Sequence, residues 1–282
     1  ISRFWFEHPY IQGIVPNHLL PEKELKEKLE KIPYYGSGRF WTDRMIRNRA
    51  HICRKLLVVP LECVVRNVLT GSAYEAYAQD SEDYGKWLKN ILPKGLKELQ
   101  TIKPIFTPAS KDPEHDENLT PEQAVSHLAG WIGLLEQGEE KSNLQDWGAQ
   151  NLYRSLEFYS LKLNEAMSEI ALSRGLVIAD TKMEFGVYVA NLDGQRVLRP
   201  CVADELGTPD SSRFFKKQGF EDWLKGKRTL PPENWDKELV RKHLREKGIH
   251  NSPEILRNYR LPEDIIRETS GRYKEIARIL CG

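Results

Sequence analysis

The alternation of apolar and polar residues is clearest between Leu176 and Phe214. After the apolar run 176–179 the chain reads DTKMEF over 180–185, a period of two that is typical of a β-strand. Side chains two apart lie on the same face of a strand, so Asp180, Lys182 and Glu184 are predicted to share one face. Gly186 is predicted to end this strand.

The residues that follow predict a hairpin. A strand over Val187–Ala190 leads into the turn-forming sequence NLDG and then into a return strand that reaches Asp204 and Glu205. This return places an acidic pair beside Glu184. Carboxylates that converge near a lysine are typical of magnesium–phosphate sites, and a salt-bridged, solvated sheet face explains the same pattern.

Apolar residues at helical spacing predict several helices. A charged surface helix is expected over 21–32, and TPEQ at 120–123 has the cap, proline and glutamine of a helix start. An insert at 136–146 precedes a longer helix that ends at Arg174-Gly175, and three further helices are expected at 220–224, 235–246 and 262–280. The longer helix carries a core stripe of Leu152, Leu156, Tyr159, Leu163, Met167 and Ile170.

Prolines interrupt two other segments. Pro60 lies inside the apolar run 55–66, which predicts either a linker between two lobes, where a nucleotide base would pair with main-chain groups, or a simple β-bulge. The segment 104–117, which contains Pro104, Pro108 and Pro113, is predicted to be a functional loop.

A small flexible turn, Thr70-Gly71-Ser72, follows Arg66 by a few residues. A cation, a hydroxyl and exposed backbone N–H groups together form a phosphate cradle. A capping turn before the next helix explains the same sequence.

Composition narrows the possible functions. The 282 residues contain 42 Lys+Arg and 41 Asp+Glu, a formal charge of +1, so no global field attracts nucleic acid or an anionic membrane. Apolar runs are too short to span a bilayer. Four widely spaced cysteines favour reduced thiols in a cytoplasmic protein. Homo-oligomers are common among soluble enzymes, but no interface is identifiable from the sequence.

Four motifs occur in one order along the chain: PLECVVRNVLTGSAYEAY, PIFTPASKDPEHDENLTPEQA, GLVIADTKMEFG and DELGTPDSSRFF. Together they resemble the phosphoribosylaminoimidazole-succinocarboxamide synthase (SAICAR synthetase) family of purine biosynthesis. The resemblance implies an α+β, two-lobed, kinase-like fold in which antiparallel sheets pack against helices and ATP binds between the lobes. Residues 1–59 are then expected to be the remainder of the ATP-binding lobe, and 60–282 the larger substrate-binding lobe with the C-terminal helices.

The resemblance also implies a reaction. An ATP-dependent ligase of this family joins L-aspartate to the carboxylate of carboxyaminoimidazole ribonucleotide and releases ADP and phosphate. A carboxylate is a poor electrophile, so the family chemistry implies activation as an acyl phosphate. Mg²⁺ and cationic side chains are expected to offset the charge that builds up.

Individual site residues follow from the matching positions. The resemblance implies catalytic roles for Lys182, Asp180 and Glu184 and metal binding by Glu184 and Asp204. Val58, Glu62 and Lys182 are expected at the nucleotide. The substrate-binding residues implied are Arg66, Ser72, Asp116, Asp210 and Arg213.

Two features depart from the family pattern. The glycine-containing K-x-R-D-x-Y stretch that covers the ATP phosphates has no counterpart in 1–282, and the first strands are therefore expected upstream of Ile1. The approach to Asp204 over 198–203 is longer and is expected to shift that acid's register. A nucleotide-binding scaffold that has lost the phosphate-covering strands is the non-enzymatic alternative. HRD and DFG motifs are absent from the sequence, which argues against a protein kinase.

Overall fold

The computed structural model describes residues 1–21, 24, 27, 51–79, 83–111, 116–136, 148–192 and 195–282. Five strands form one antiparallel sheet: β1 Leu57–Leu69, β2 Gln100–Ser110, β3 Leu176–Leu192, β4 Gln195–Ala203 and β5 Ser212–Lys216. The helices are α1 Ser2–Glu7, α2 Pro9–Gln12, α3 Gly71–Gln79, α4 Tyr84–Ile91, α5 Pro121–Glu136, α6 Gly148–Ser173, α7 Lys217–Leu224, α8 Glu238–Glu246, α9 Pro253–Leu256 and α10 Glu263–Cys281. This mixture confirms the α+β fold class.

The sheet has the order β2-β1-β3-β4, and β5 also pairs with β3. Strand β4 pairs with 184–192 of β3, whereas β5 pairs with 176–181. Because β1 occupies the other edge of β3, β4 and β5 lie end to end along the same edge. The loop 204–211, which joins them, therefore leaves the sheet beside Lys182, whose backbone N–H donates to the Ser211 carbonyl at 2.7 Å.

One face of the sheet packs against α5 and α6. Thr181, Met183 and Phe185 are completely buried, while the charged residues that alternate with them lie on the opposite face. Leu156 and Met167 of α6 are also fully buried, as the helical stripe predicts. The period-two pattern thus separates the core from the charged surface.

The prolines and the glycine expected to break strands do not break them. Strand β1 continues through Pro60, with a register shift against β3 between Val58 and Glu62, as a β-bulge predicts. Strand β3 continues through Gly186, where a Cβ would lie 2.7 Å from Cβ of Leu56, so a side chain would collide with the neighbouring segment.

The expected loop at 104–117 is also wrong over its first half, because residues 104–110 belong to β2. Strand β2 is at the edge of the described sheet, where a proline that lacks an N–H group is tolerated. In the C-terminal part, Trp235 precedes α8, so the helix expected from residue 235 begins at Glu238.

Several local predictions are confirmed. Thr120 and Gln123 exchange hydrogen bonds of 2.8 and 3.3 Å at the start of α5, which is a complete capping box. Gly175 ends α6 with a φ of +83°, and β3 and β4 form the expected hairpin. The predicted helix at 21–32 and the insert after residue 136 lie largely outside the described residues.

Two hydrogen bonds attach the N-terminal helix α1 to the loop 204–211. The indole N–H of buried Trp5 donates to the Gly207 carbonyl at 3.0 Å, and the Leu206 N–H donates to the Ser2 hydroxyl at 3.0 Å. Gly207 has a φ of +58°, and a Cβ there would lie 2.3 Å from the indole nitrogen. Within the described ranges, the helices are all too short or too polar to cross a lipid bilayer.

Candidate active site

The charged face of the sheet carries two groups of side chains. The strand register places Glu62 opposite Glu184, Val64 opposite Lys182, and Arg66 opposite Asp180. Four residues separate Glu184 from Asp180, which corresponds to about 13 Å along a strand. We call Glu62, Lys111, Lys182 and Glu184 the lysine cluster, and Arg66, Thr70, Ser72, Asp180 and Arg213 the arginine cluster.

The lysine cluster is a half-exposed network of ion pairs. The Lys182 ammonium lies 2.5 Å from Oε1 of Glu62 and 3.7 Å from Oε1 of Glu184. Lys111, which directly follows β2, pairs with Oε2 of Glu184. Both carboxylates are buried, whereas the side chains of Lys182 and Lys111 are 30% and 37% exposed. The ammonium groups therefore reach solvent from a base of buried acids.

Burial and neighbouring charge shift the acid–base properties of this cluster. Burial raises the pKa of Glu62; Lys182 opposes this shift, and the adjacent Asp116 carboxyl reinforces it. Burial lowers the pKa of Lys182, but the hydrogen bond that Lys182 donates to Glu62 and the charges of Glu62, Glu184 and Asp116 outweigh burial, and the net pKa is raised. Lys182 is therefore a cation at neutral pH, and its single positive charge faces the carboxyl groups of Glu62, Glu184 and Asp116.

The arginine cluster is centred on one carboxylate. Oδ2 of Asp180 lies 3.2 Å from Nη1 of Arg213 and 3.6 Å from Nη1 of Arg66. The same oxygen is buried, yet within the described residues it has no hydrogen-bond partner. A buried acceptor without a hydrogen bond is costly, so this oxygen is suited to accept a hydrogen bond from a ligand hydroxyl.

Both arginines are held by further hydrogen bonds. Nε of Arg66 donates to the Thr107 hydroxyl at 3.0 Å, and its Nη2 donates to the Ser72 hydroxyl at 3.3 Å. Nη1 of Arg213 donates to the Thr70 hydroxyl at 3.1 Å. Thr70 and Ser72 flank the first residue of α3, so two guanidinium groups and two hydroxyls lie at the N-terminus of this helix.

Gly71 is required between these hydroxyls for two reasons. Its φ of +59° is a left-handed conformation that disfavours residues with a side chain. A Cβ at this position would lie 3.2 Å from both Nη1 and Nη2 of Arg213. The absent side chain therefore lets the Arg213 guanidinium approach the start of α3.

The loop 204–211 carries the remaining predicted acids. Asp204 is exposed, has a φ of +58°, and follows Ala203, the residue that pairs with Glu184. The longer approach over 198–203 thus still brings Asp204 next to Glu184. Asp210 is exposed and accepts a hydrogen bond of 2.8 Å from the Tyr273 hydroxyl of α10.

The resemblance also implies site roles for Val58, Glu62 and Asp116. Val58 is half-exposed and lies at the register shift of β1, away from the charged clusters. Glu62, which is expected with Val58 at the adenine and ribose, pairs with Lys182. Asp116 is exposed and acts on both Glu62 and Lys182.

Glu184 and Asp204 fit a magnesium site by the chemistry of their donors. Mg²⁺ is usually bound by one or two protein carboxylates together with water and substrate phosphates. Groups of three or more acidic, histidine or cysteine ligands do not occur within the described ranges. Two carboxylates that become neighbours through the β3–β4 register are therefore compatible with an ion shared with a substrate.

Sequence reasoning missed three residues of the site. Lys111 and Thr107 were hidden by the wrong loop assignment, since an edge strand would have placed Thr107, Ala109 and Lys111 on one face beside Glu62. Asp236, which pairs with Arg213 through Nε at 3.3 Å, follows β5 by 20 residues and carries no motif that points to this contact.

Comparison with known proteins agrees with this geometry. A profile of the SAICAR synthetase family matches residues 1–255. The chain is 32% identical to the phosphoribosylaminoimidazole-succinocarboxamide synthase of Lachnospira eligens, covering 100% of this chain and 80% of that one. It is 33% identical to the synthase of Thermodesulfovibrio yellowstonii, with coverages of 99% and 79%.

Solved structures also match this chain. The SAICAR synthase of Saccharomyces cerevisiae, solved in complex with SAICAR, superposes with a TM-score of 0.66 at 28% identity over 99% of this chain and 78% of that one. The synthase of Ehrlichia chaffeensis, at 16% identity and a TM-score of 0.54, shares the fold. The chain belongs to the SAICAR synthetase family, whose members are ATP-dependent ligases of purine biosynthesis.

Proposed function

We propose that this protein joins L-aspartate to the carboxylate of carboxyaminoimidazole ribonucleotide, with ATP as the energy source. The products are SAICAR, ADP and phosphate. The observation that carries this proposal is the presence of two differently built cation clusters on one sheet face, whose acids Glu184 and Asp180 lie about 13 Å apart along β3. One cluster suits a fixed phosphate, and the other suits groups whose charge changes during a reaction.

The arginine cluster binds the ribonucleotide 5′-phosphate. Arg66, Arg213 and Ser72 supply guanidinium and hydroxyl donors at the N-terminus of α3, where backbone N–H groups also favour an anion. Asp180 orients both arginines through ion pairs. Its Oδ2, which has no hydrogen bond within the described residues, accepts one from a ribose hydroxyl. This end positions the substrate and takes no part in bond making.

The lysine cluster holds the reacting carboxylate and the ATP γ-phosphate. A carboxylate oxygen of the ribonucleotide attacks the γ-phosphorus, the bond to the bridging oxygen breaks, and ADP leaves. The aspartate amine then attacks the acyl carbon of the acyl phosphate, loses a proton, and phosphate leaves as the C–O bond breaks. Lys182 stabilises the negative charge in both steps, and Asp116, whose charge acts on Lys182, pairs with the amine of the incoming aspartate.

Glu184 and Asp204 would hold Mg²⁺ in the loaded enzyme. The bound ion would supply charge neutralisation at the transferred phosphoryl group. An ion bound there would take up part of the pairing that Glu184 makes with Lys111 and Lys182, so Lys111 would become available to the substrates while Lys182 keeps its contact with Glu62. Asp210, held by Tyr273, lines the substrate side of the same loop.

Val58 and Glu62 lie at the two ends of the segment that we assign to the nucleotide. The register shift between them interrupts pairing with β3, and we assign this segment to the adenine base and ribose of ATP. We place the boundary between an ATP-binding lobe and a substrate-binding lobe at residues 59 and 60. Four free cysteines accord with a cytoplasmic enzyme.

Release of ADP tests the proposal directly. We expect release from the full-length protein to require the ribonucleotide, L-aspartate and Mg-ATP together, and the isolated product to be SAICAR. ADP release that does not depend on aspartate would contradict the ligase reaction. Mg-ATP binding without any turnover would support the scaffold alternative instead.

A further inference from the structure

The C-terminal part of the chain reaches the arginine cluster through a carboxylate that follows β5. Oδ2 of Asp236 lies 3.3 Å from Nε of Arg213, and the residue is only 6% exposed. Arg213 is thus held between two acids, Asp180 at one terminal nitrogen and Asp236 at Nε. A guanidinium bound at Nε and at one terminal nitrogen has its plane fixed, and its direction is fixed with it.

Asp236 is itself held in place from several directions. Its Oδ1 accepts the backbone N–H of Glu238 at 2.8 Å, at the start of α8. The Trp235 N–H donates to the Phe214 carbonyl of β5 at 2.9 Å, and the Lys216 ammonium lies 4.2 Å from the centre of the Trp235 ring. The segment is therefore attached to the strand that carries Arg213.

Helix α10 clamps the same segment from the other side. Nη1 of Arg272 donates to the Asn234 carbonyl at 2.6 Å. The next residue of the helix, Tyr273, donates to Asp210 on the loop 204–211. Adjacent residues of one helix thus support Asp210 directly and Arg213 through the segment that carries Asp236.

We propose that Asp236 is a positioning residue that aims the Arg213 guanidinium at the ribonucleotide phosphate, and that α10 holds Asp236 in place through Arg272. This inference rests on the proposed function, because it takes Arg213 as a phosphate ligand. Burial raises the pKa of Asp236 and the charge of Arg213 opposes that shift, so the two groups interact electrostatically in this buried setting. Asp236 touches no substrate and acts only through Arg213.

The test compares Michaelis constants for the three substrates. Asp236→Asn retains one oxygen for the Glu238 amide and removes the charge that Arg213 faces. We expect KM for the ribonucleotide to rise about tenfold, while KM for ATP and for aspartate stays within twofold. Asp222→Asn, a change of the same size on α7, is the matched control and should leave all three constants unchanged.

A double-mutant cycle separates positioning from folding. In an Arg213→Met background, adding Asp236→Asn should change the ribonucleotide KM by less than twofold, because the group that Asp236 positions is already gone. Asp236→Glu should recover part of the wild-type KM. Where Asp236→Asn fails to fold, the Arg272→Met variant is used for the same comparison, and we expect a smaller rise confined to the ribonucleotide.

Three results would overturn the inference. These are an unchanged ribonucleotide KM in Asp236→Asn, a parallel rise in all three constants, or full additivity in the double variant. An Arg213→Met protein with normal ribonucleotide affinity would overturn it together with the role assigned to Arg213. Failure of the proposed function is recognised separately, since wild-type protein would then release no ADP with both substrates present.

Discussion

The lysine cluster and the arginine cluster share one sheet face, yet they are built differently. The arginine side chains are 7% and 13% exposed and make hydrogen bonds to Thr107, Ser72 and Thr70. The lysine side chains are 30% and 37% exposed, and their charges meet buried glutamates. Flexible ammonium groups occupy one end of the face, and planar guanidinium groups occupy the other.

The difference indicates a division of labour along the strands. A group that only anchors a phosphate gains from being preorganised, since no rearrangement is then required when the substrate binds. Groups at a reacting centre must stabilise negative charge whose position changes during the reaction. The ammonium groups of flexible lysine side chains can move to do so. Substitutions in the lysine cluster should therefore affect turnover, and substitutions in the arginine cluster should affect affinity and stability.

The largest effect is expected from Lys182→Met. The ammonium is the centre of the lysine cluster, and its removal takes away the charge that stabilises both transition states. We expect turnover to fall about a thousandfold or more, and the free energy of unfolding to change less than at Asp180, because Lys111 still pairs with Glu184 and the raised pKa of Glu62 lets its buried carboxyl take up a proton. Single-turnover ADP release measures the first quantity, and urea denaturation the second. Lys162→Met, at an exposed helix position, is the control, and a Lys182→Met enzyme with a normal rate would remove this residue from the mechanism.

Asp180→Asn should have the opposite profile. The substitution leaves two buried guanidinium groups without their shared counter-charge, and loss of one partner in such a group costs about 3 kcal/mol of stability. We expect the urea midpoint to fall and the ribonucleotide affinity to weaken. Asp264→Asn, on the exposed first turn of α10, should change the midpoint only slightly. A urea midpoint equal to that of the wild type would contradict the claim that Asp180 stabilises the two buried arginines.

The sequence predicts the charged face better than it predicts the segments around it. Period-two alternation is a local property, so the common face of Asp180, Lys182 and Glu184 follows from side-chain geometry alone. The position of Asp204 beside Glu184 follows from the hairpin register.

Other features depend on tertiary neighbours and leave no local signal. The continuity of β2 through Pro104 depends on the edge position of that strand, and Gly186 remains inside β3 because Leu56 packs closely above it. The contact between Asp236 and Arg213 joins residues 23 apart through the docking of a segment without regular structure.

Glu184→Gln tests the link between the metal proposal and the lysine cluster. Loss of one of two carboxylate donors should raise the Mg²⁺ concentration for half-maximal rate by about ten- to a hundredfold, as for groups that tune metal sites. Titration of the initial rate with MgCl₂ at saturating substrates measures this shift. Glu165→Gln, at an exposed position of α6, is the control. Identical magnesium curves for Glu184→Gln and the wild type would exclude Glu184 as a metal ligand.

The smallest and most specific effect is expected at Gly71, where the backbone meets the arginine cluster. Gly71→Ala and Gly95→Ala both introduce a side chain at a positive φ, of +59° and +77°, which costs about 1 kcal/mol each. Only at Gly71 would the new Cβ crowd Arg213, because nothing lies within 4 Å of the corresponding position at Gly95. The two variants should therefore lose similar stability in urea, and only Gly71→Ala should also raise the ribonucleotide KM. An equal KM in both variants would mean that the guanidinium shifts without loss of function, and the contrast between a rigid arginine cluster and an adaptable lysine cluster would then fail.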